Sequence, residues 1–165
     1  MKQVKTRTIN TIFAFLLLLT LQYSFGQNLS PSETKYAANK ADQLDISATK
    51  SMIAFIAKRE IGLQQQAISQ WNEALALYNK VLTKGTVDSR SSGTAGSLQA
   101  FVYDSRKSMI QTYLSGYGDF FANELLNEKE EERTKKVNLD GNEYKISKTY
   151  KKHFDSLTSR LKKRK

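Results

Sequence analysis

Apolar residues recur at three- and four-residue steps through the first half of the chain: Ala37, Ala41, Leu44, Ala48, Met52 and Phe55, with Ile53 and Ile56 widening the stripe. That period lays them along one side of an α-helix, the side that has to be buried. The start of the helix is marked upstream in "LSPSET". Ser30 suits the cap, Pro31 the first helical position, and Glu33 completes a capping box. A second stripe of Leu63, Ala67, Trp71, Ala74, Tyr78 and Val81 runs to Lys84-Gly85, a helix-ending signal. Gly62 lies between the stripes, as a weak point in one long helix or as the joint of a helical hairpin.

"GTVDSRSSGTAGS" then loses all periodicity and predicts a loop over 85–97. It is long for a helix–helix connection, which takes about 2–8 residues. A third helix is predicted from near Ser97. Leu98, Val102, Met109, Tyr113 and Phe120 lie on one side of it, flanked by Ile110, Leu114, Tyr117 and Phe121. Gly116 and Gly118 predict a break, each costing about 1 kcal/mol in a helix relative to alanine. Asp119 is placed to cap a fresh helix through "FFANELLNEKEEER". Within the second stripe, "WNEALALYNKVL" resembles the second helix of a tetratricopeptide repeat, with Ile61-Gly62, Ala74 and Tyr78 near that repeat's spacing. The resemblance covers about one repeat. Such repeats stack in threes or more, so it implies an amphipathic helix and nothing further.

The period changes from helical to alternating in "VNLDGNEYKI". Asp-Gly is a preferred type I′ turn, and a two-residue turn at Asp140-Gly141 pairs Leu139 with Asn142, Val137 with Tyr144, and Lys135 with Ile146. A β-hairpin over about 134–147 follows. Its packing face carries Val137, Leu139, Tyr144 and Ile146, and its reverse carries Lys136, Asn138, Glu143 and Lys145. An isolated hairpin is marginal in water, so the apolar face requires a support. Ser147 then caps a last helix, striped by Tyr150, Phe154, Leu157 and Leu161 and opposed by lysines. The fold class is therefore mainly α: a long helical hairpin or small helical bundle, followed by a C-terminal β-hairpin and a basic amphipathic helix.

Charge sharpens this division. Residues 27–132 hold 11 Lys/Arg against 13 Asp/Glu, whereas residues 133–165 hold 12 against 3. The basicity belongs to one end, here read as an appendage (133–165) on a helical body (27–132), and it points to an anionic partner. Lys148, Lys151, Lys152, Arg160, Lys162, Lys163, Arg164 and Lys165 are the candidate contacts. At the other end, Lys2, Lys5 and Arg7 precede "IFAFLLLLTL" and a small-residue "SFG". That is the pattern of a secretory signal peptide over 1–26, with an apolar run short of the roughly 20 residues of a membrane span. The expected setting is periplasmic or extracellular. With no cysteine, lipid anchoring of the lipoprotein kind, disulfides and thiol catalysis are excluded.

Candidate chemistry is sparse. The chain has no HExxH, GxSxG or phosphate-binding loop, and nothing in it predicts a metal or cofactor. "SETK" and "SATK" match a serine–lysine spacing without the companion motifs. His153, the one histidine, sits at the edge of the last stripe; Glu124 and Glu128, one turn apart, read as a solvated helix end. These features predict a non-catalytic envelope protein of the interaction or structural kind, such as an accessory subunit of a secretion or conjugative transfer apparatus. Its partners would be an acidic envelope protein, an anionic membrane or lipopolysaccharide surface, or further copies of itself, with nucleic acid not expected. The competing readings are a holdase-type periplasmic chaperone and a small hydrolase using Glu124, Glu128 or His153.

Overall fold

The computed structural model describes residues 28–85 and 95–164. The signal segment, most of the expected loop, the place of Leu98 in its stripe, and Lys165 lie outside the described residues. Five α-helices and one hairpin follow in order: α1 (Pro31–Lys58), α2 (Ile61–Lys84), α3 (Ala95–Gly116), α4 (Asp119–Leu126), a 3-10 turn (Glu130–Glu132), β1 (Lys135–Leu139), β2 (Asn142–Ile146) and α5 (Lys148–Lys162).

α1 begins as its sequence dictates. Ser30 Oγ accepts from the Glu33 amide at 3.3 Å, and the Glu33 carboxylate accepts from the Ser30 amide at 2.8 Å. These bonds hold the Glu33 pKa below its ordinary value. The helix stops at Arg59, which adopts a left-handed φ of 61°, and α2 starts two residues later. The joint is thus Arg59-Glu60, and Gly62 lies inside the first turn of α2. The two helices fold back as a hairpin closed at its open end, where the Leu29 amide donates to the Lys84 carbonyl at 2.7 Å.

The predicted stripes are the seam between these helices. Ala41, Ala48, Met52, Phe55 and Ile56 of α1 meet Ala67, Trp71, Ala74 and Tyr78 of α2, all buried. The seam mixes small alanines with the bulky Met52, Phe55, Trp71 and Tyr78. α3 lies against α2, and here the structure corrects the expected face. Ile110 of α3 and Tyr117 in the break after it, both from the flanking set, are buried, while Met109 of α3 and Phe120 of α4 are exposed. Apolar residues fill adjacent positions in this helix, so the angle at which it leans on α2 decides which are covered. The Gly116–Gly118 break is present, with Gly118 at the cap position and Asp119 as the first helical residue. α4 ends at Leu126, short of its predicted length.

The hairpin has the predicted register, with Leu139 opposite Asn142, Val137 opposite Tyr144, and Lys135 opposite Ile146. Asp140 and Gly141 both take positive φ, at 52° and 82°, as a type I′ turn demands. Val137 and Ile146 are buried, and Leu139 and Tyr144 half-buried. Their support is α1 and α5. The Ser147 hydroxyl caps α5, whose Tyr150, Phe154 and Leu157 complete the core.

Two glycines of the α1–α2 hairpin make opposite predictions. A Cβ at Gly62 would meet nothing within 4 Å, so Gly62→Ala should raise stability by about 0.5–1 kcal/mol through helix propensity and reduced unfolded-state entropy. At Gly85 it would collide with the Val81 carbonyl and lie 2.9 Å from Thr34 Cγ2, so Gly85→Ala should lower it. Urea denaturation of the two variants checks both signs.

Candidate functional site

The C-terminal unit of hairpin and α5 is fixed to the helical body by a buried carboxylate. Asp45 lies on α1, four residues after Ala41 and three before Ala48, and is fully buried. Its Oδ1 accepts from the Trp71 indole N–H at 3.0 Å. Its Oδ2 accepts from Arg160 Nη2 at 2.6 Å and from Arg164 Nη1. Arg160 also donates through Nη1 to Thr49 Oγ1 at 3.3 Å, and Thr49 in turn donates to the Asp45 carbonyl at 2.8 Å. The Arg160 guanidinium carbon sits 4.6 Å from the centre of the Tyr113 ring, within cation–π range. Trp71 of α2, Arg160 of α5 and Arg164 just beyond it therefore converge on one buried carboxyl of α1, and Tyr113 of α3 packs on Arg160.

A second buried carboxylate pins the other end of the unit. Glu128, directly after α4, pairs with Arg59 at the α1–α2 joint and lies 3.6 Å from Arg133 Nε. Arg133 also donates to the Glu128 carbonyl at 2.7 Å, and Arg59 to the Lys145 carbonyl of β2 at 3.3 Å. This corrects the reading of Glu128 as part of a solvated run, because its side chain is buried to 3% exposure. It also explains the early end of α4: the chain turns at Asn127 to deliver Glu128 inward.

The expected contact residues divide by type. Lys148, Lys152, Lys162 and Lys163 are exposed. Lys151 pairs with Asp155 at 2.6 Å on the surface of α5. Arg160 and Arg164 turn inward to Asp45, so their charge is engaged within the fold. On the hairpin, Lys136 pairs with Glu143 at 2.8 Å, and Lys135 and Lys145 are exposed. In the sequence, the signal for Asp45 is an acid inside an alanine-lined stripe, which calls for a buried partner.

His153 belongs to an aromatic cluster. Its ring packs edge-on against Tyr117 and Phe121, with Nδ1 3.2 Å from the Tyr117 hydroxyl. Burial lowers its pKa below 6.5 and pushes that of Tyr117 up to about 12. Among the described residues no carboxylate pairs with His153, whose one hydrogen-bond partner is the Tyr117 hydroxyl, and Glu124 is exposed on α4. Among the described residues, no cluster of three His, Asp or Glu side chains forms a metal site, and no helix is long and apolar enough to cross a membrane. Comparison with protein-family profiles, curated proteins and solved structures finds no match to the chain.

Two measurements follow from this geometry. Asp45→Ala leaves two guanidiniums buried without their anion and should cost about 3–5 kcal/mol in chemical denaturation. Replacing Arg160 and Arg164 by leucine in the same variant should restore part of that loss. The lowered pKa of His153 means that folding favours the neutral ring. Its contribution is complete above about pH 6.5 and is lost as pH falls through the lower folded value. The stability of the parent chain should therefore decline below pH 6.5 more steeply than that of His153→Gln, and the two slopes should coincide above pH 7.

Proposed function

We propose that this is a non-catalytic, exported protein of the cell envelope that uses its C-terminal unit to contact an anionic surface or an acidic partner protein. The observation that carries the reading is the segregation of cations. Arg160 and Arg164 hold α5 in place, while Lys148, Lys152 and Lys162 stand exposed on it and Lys163 at its C-terminal cap. Docking fixes the backbone positions of those lysines, so only their side chains have to be ordered on contact. Each cation near an anionic membrane is worth about 1 kcal/mol. Export is supported by the charged start, apolar run and small-residue site over 1–26. A role as an accessory subunit of a secretion or conjugative transfer apparatus fits a small exported helical protein, by analogy of fold and location alone.

The test is co-sedimentation with vesicles containing phosphatidylglycerol, alongside capture of partners from an envelope fraction. Changing Lys148, Lys152, Lys162 and Lys163 together to glutamate should weaken vesicle or partner binding about tenfold or more, with an unchanged circular dichroism spectrum. Binding by the parent chain should also weaken as salt is added. Binding that ignores both the four substitutions and the salt would sink the proposal.

A further inference from the structure

A cleft of about 460 Å³ opens between α1, the hairpin turn and α5. Its volume lies within the range of about 300–1,000 Å³ usual for small-molecule sites. Ile53, Ala54, Leu63, Leu139, Phe154 and Leu161 line it with hydrocarbon. Three lining residues are polar in ways that matter. Lys50 is exposed and forms no ion pair with any described residue. Asp140 enters from the tip of the turn.

Thr158 is the informative one. Its Oγ1 is buried and has no hydrogen-bond partner. Elsewhere in these helices, Thr49, Thr83 and Thr112 each donate to the carbonyl four residues back. A buried hydroxyl left without a partner costs about 1–3 kcal/mol, and a ligand oxygen entering from the cleft would satisfy it once the lining side chains shift to admit it.

We propose that this cleft binds a single-chain anionic amphiphile, a fatty-acid carboxylate. The acyl chain lies against Ile53, Leu63, Leu139, Phe154 and Leu161, and the carboxylate accepts from the Thr158 hydroxyl and the Lys50 ammonium. Asp140 repels an anion at the turn, which leaves the two helix-borne groups as the head-group contacts. Occupancy would also fill the space beneath the turn and tie β1 more firmly to α1. None of the four lysines tested with vesicles lines this cleft, so the two proposals stand or fall separately.

The experiment is calorimetric titration of dodecanoate, kept below its micelle concentration, into the purified full chain, with dodecanol as the uncharged control. One dodecanoate should bind per chain, and more tightly than dodecanol. Lys50→Ala and Thr158→Val should each weaken dodecanoate about tenfold, the loss expected for a charge-assisted hydrogen bond, while leaving dodecanol unchanged. Ala54→Trp, which fills the cleft, should abolish binding of both. Should that variant fail to fold by circular dichroism, the exposed Lys50 substitution still decides the matter. Absence of dodecanoate binding, or equal affinity in Lys50→Ala and the parent, would overturn the proposal.

Discussion

The arrangement of the C-terminal third depends on the carboxylate of Asp45. A buried carboxylate carries a desolvation penalty of several kcal/mol, which is offset only by close, well-oriented donors. Asp45 has three: the Trp71 indole and the guanidiniums of Arg160 and Arg164. Because one donor is on α2, one on α5 and one just beyond the end of α5, the charge is satisfied only when α5 lies in one register across the α1–α2 hairpin. A stripe of Tyr150, Phe154, Leu157 and Leu161 would bury similar area after a slide of one turn. The ion pairs would not survive that slide. Burial thus supplies much of the attraction, and Asp45 selects the position.

Glu128 does the corresponding work at the other end. It ties Arg59, the left-handed residue that ends α1, to Arg133 just before β1. The chain between α4 and the hairpin is irregular, so without that pairing nothing regular would set where β1 begins. Between the two carboxylates lies the hairpin, whose backbone register is fixed by its own turn and whose buried Val137 and Ile146 rest on the body. It is therefore a bracket: one buried ion-pair cluster determines where it starts, and a second determines where the helix it launches is held.

Much of this was legible in the residues. The α1 and α2 stripes, the Ser30 and Ser147 caps, the glycine break and the hairpin register all follow from local rules that depend on a few neighbouring positions. What was not legible depends on partners distant in sequence. Arg160 and Arg164 are indistinguishable from the surrounding lysines in a basic run, and only the fold brings them to Asp45, 115 residues away for Arg160. Glu128 likewise belongs to an acidic run until Arg59 and Arg133 are placed beside it. In α3, apolar residues at adjacent positions, such as Met109 and Ile110, offer two faces of similar merit, and contact with α2 alone chooses between them. The cleft beneath the turn was also beyond reach, since it is a gap between several elements rather than a property of any one.

The split between the two kinds of cation follows from their chemistry. All five described arginines, at 59, 106, 133, 160 and 164, pair with carboxylates, and those carboxylates are buried or half-buried. The paired lysines, by contrast, stand on exposed or nearly exposed partners. A guanidinium is weakly hydrated and offers a planar fork of donors, so it enters a low-dielectric site at less cost; an ammonium holds its water and stays outside. The net charge of the C-terminal segment is consequently a poor guide to what its surface presents. Its arginines hold the segment to the body, and the charge left on its surface is carried by lysines. The same division places the guanidiniums where the dielectric is low and the ammoniums where water is, so the two cation types separate by depth rather than by position in the sequence.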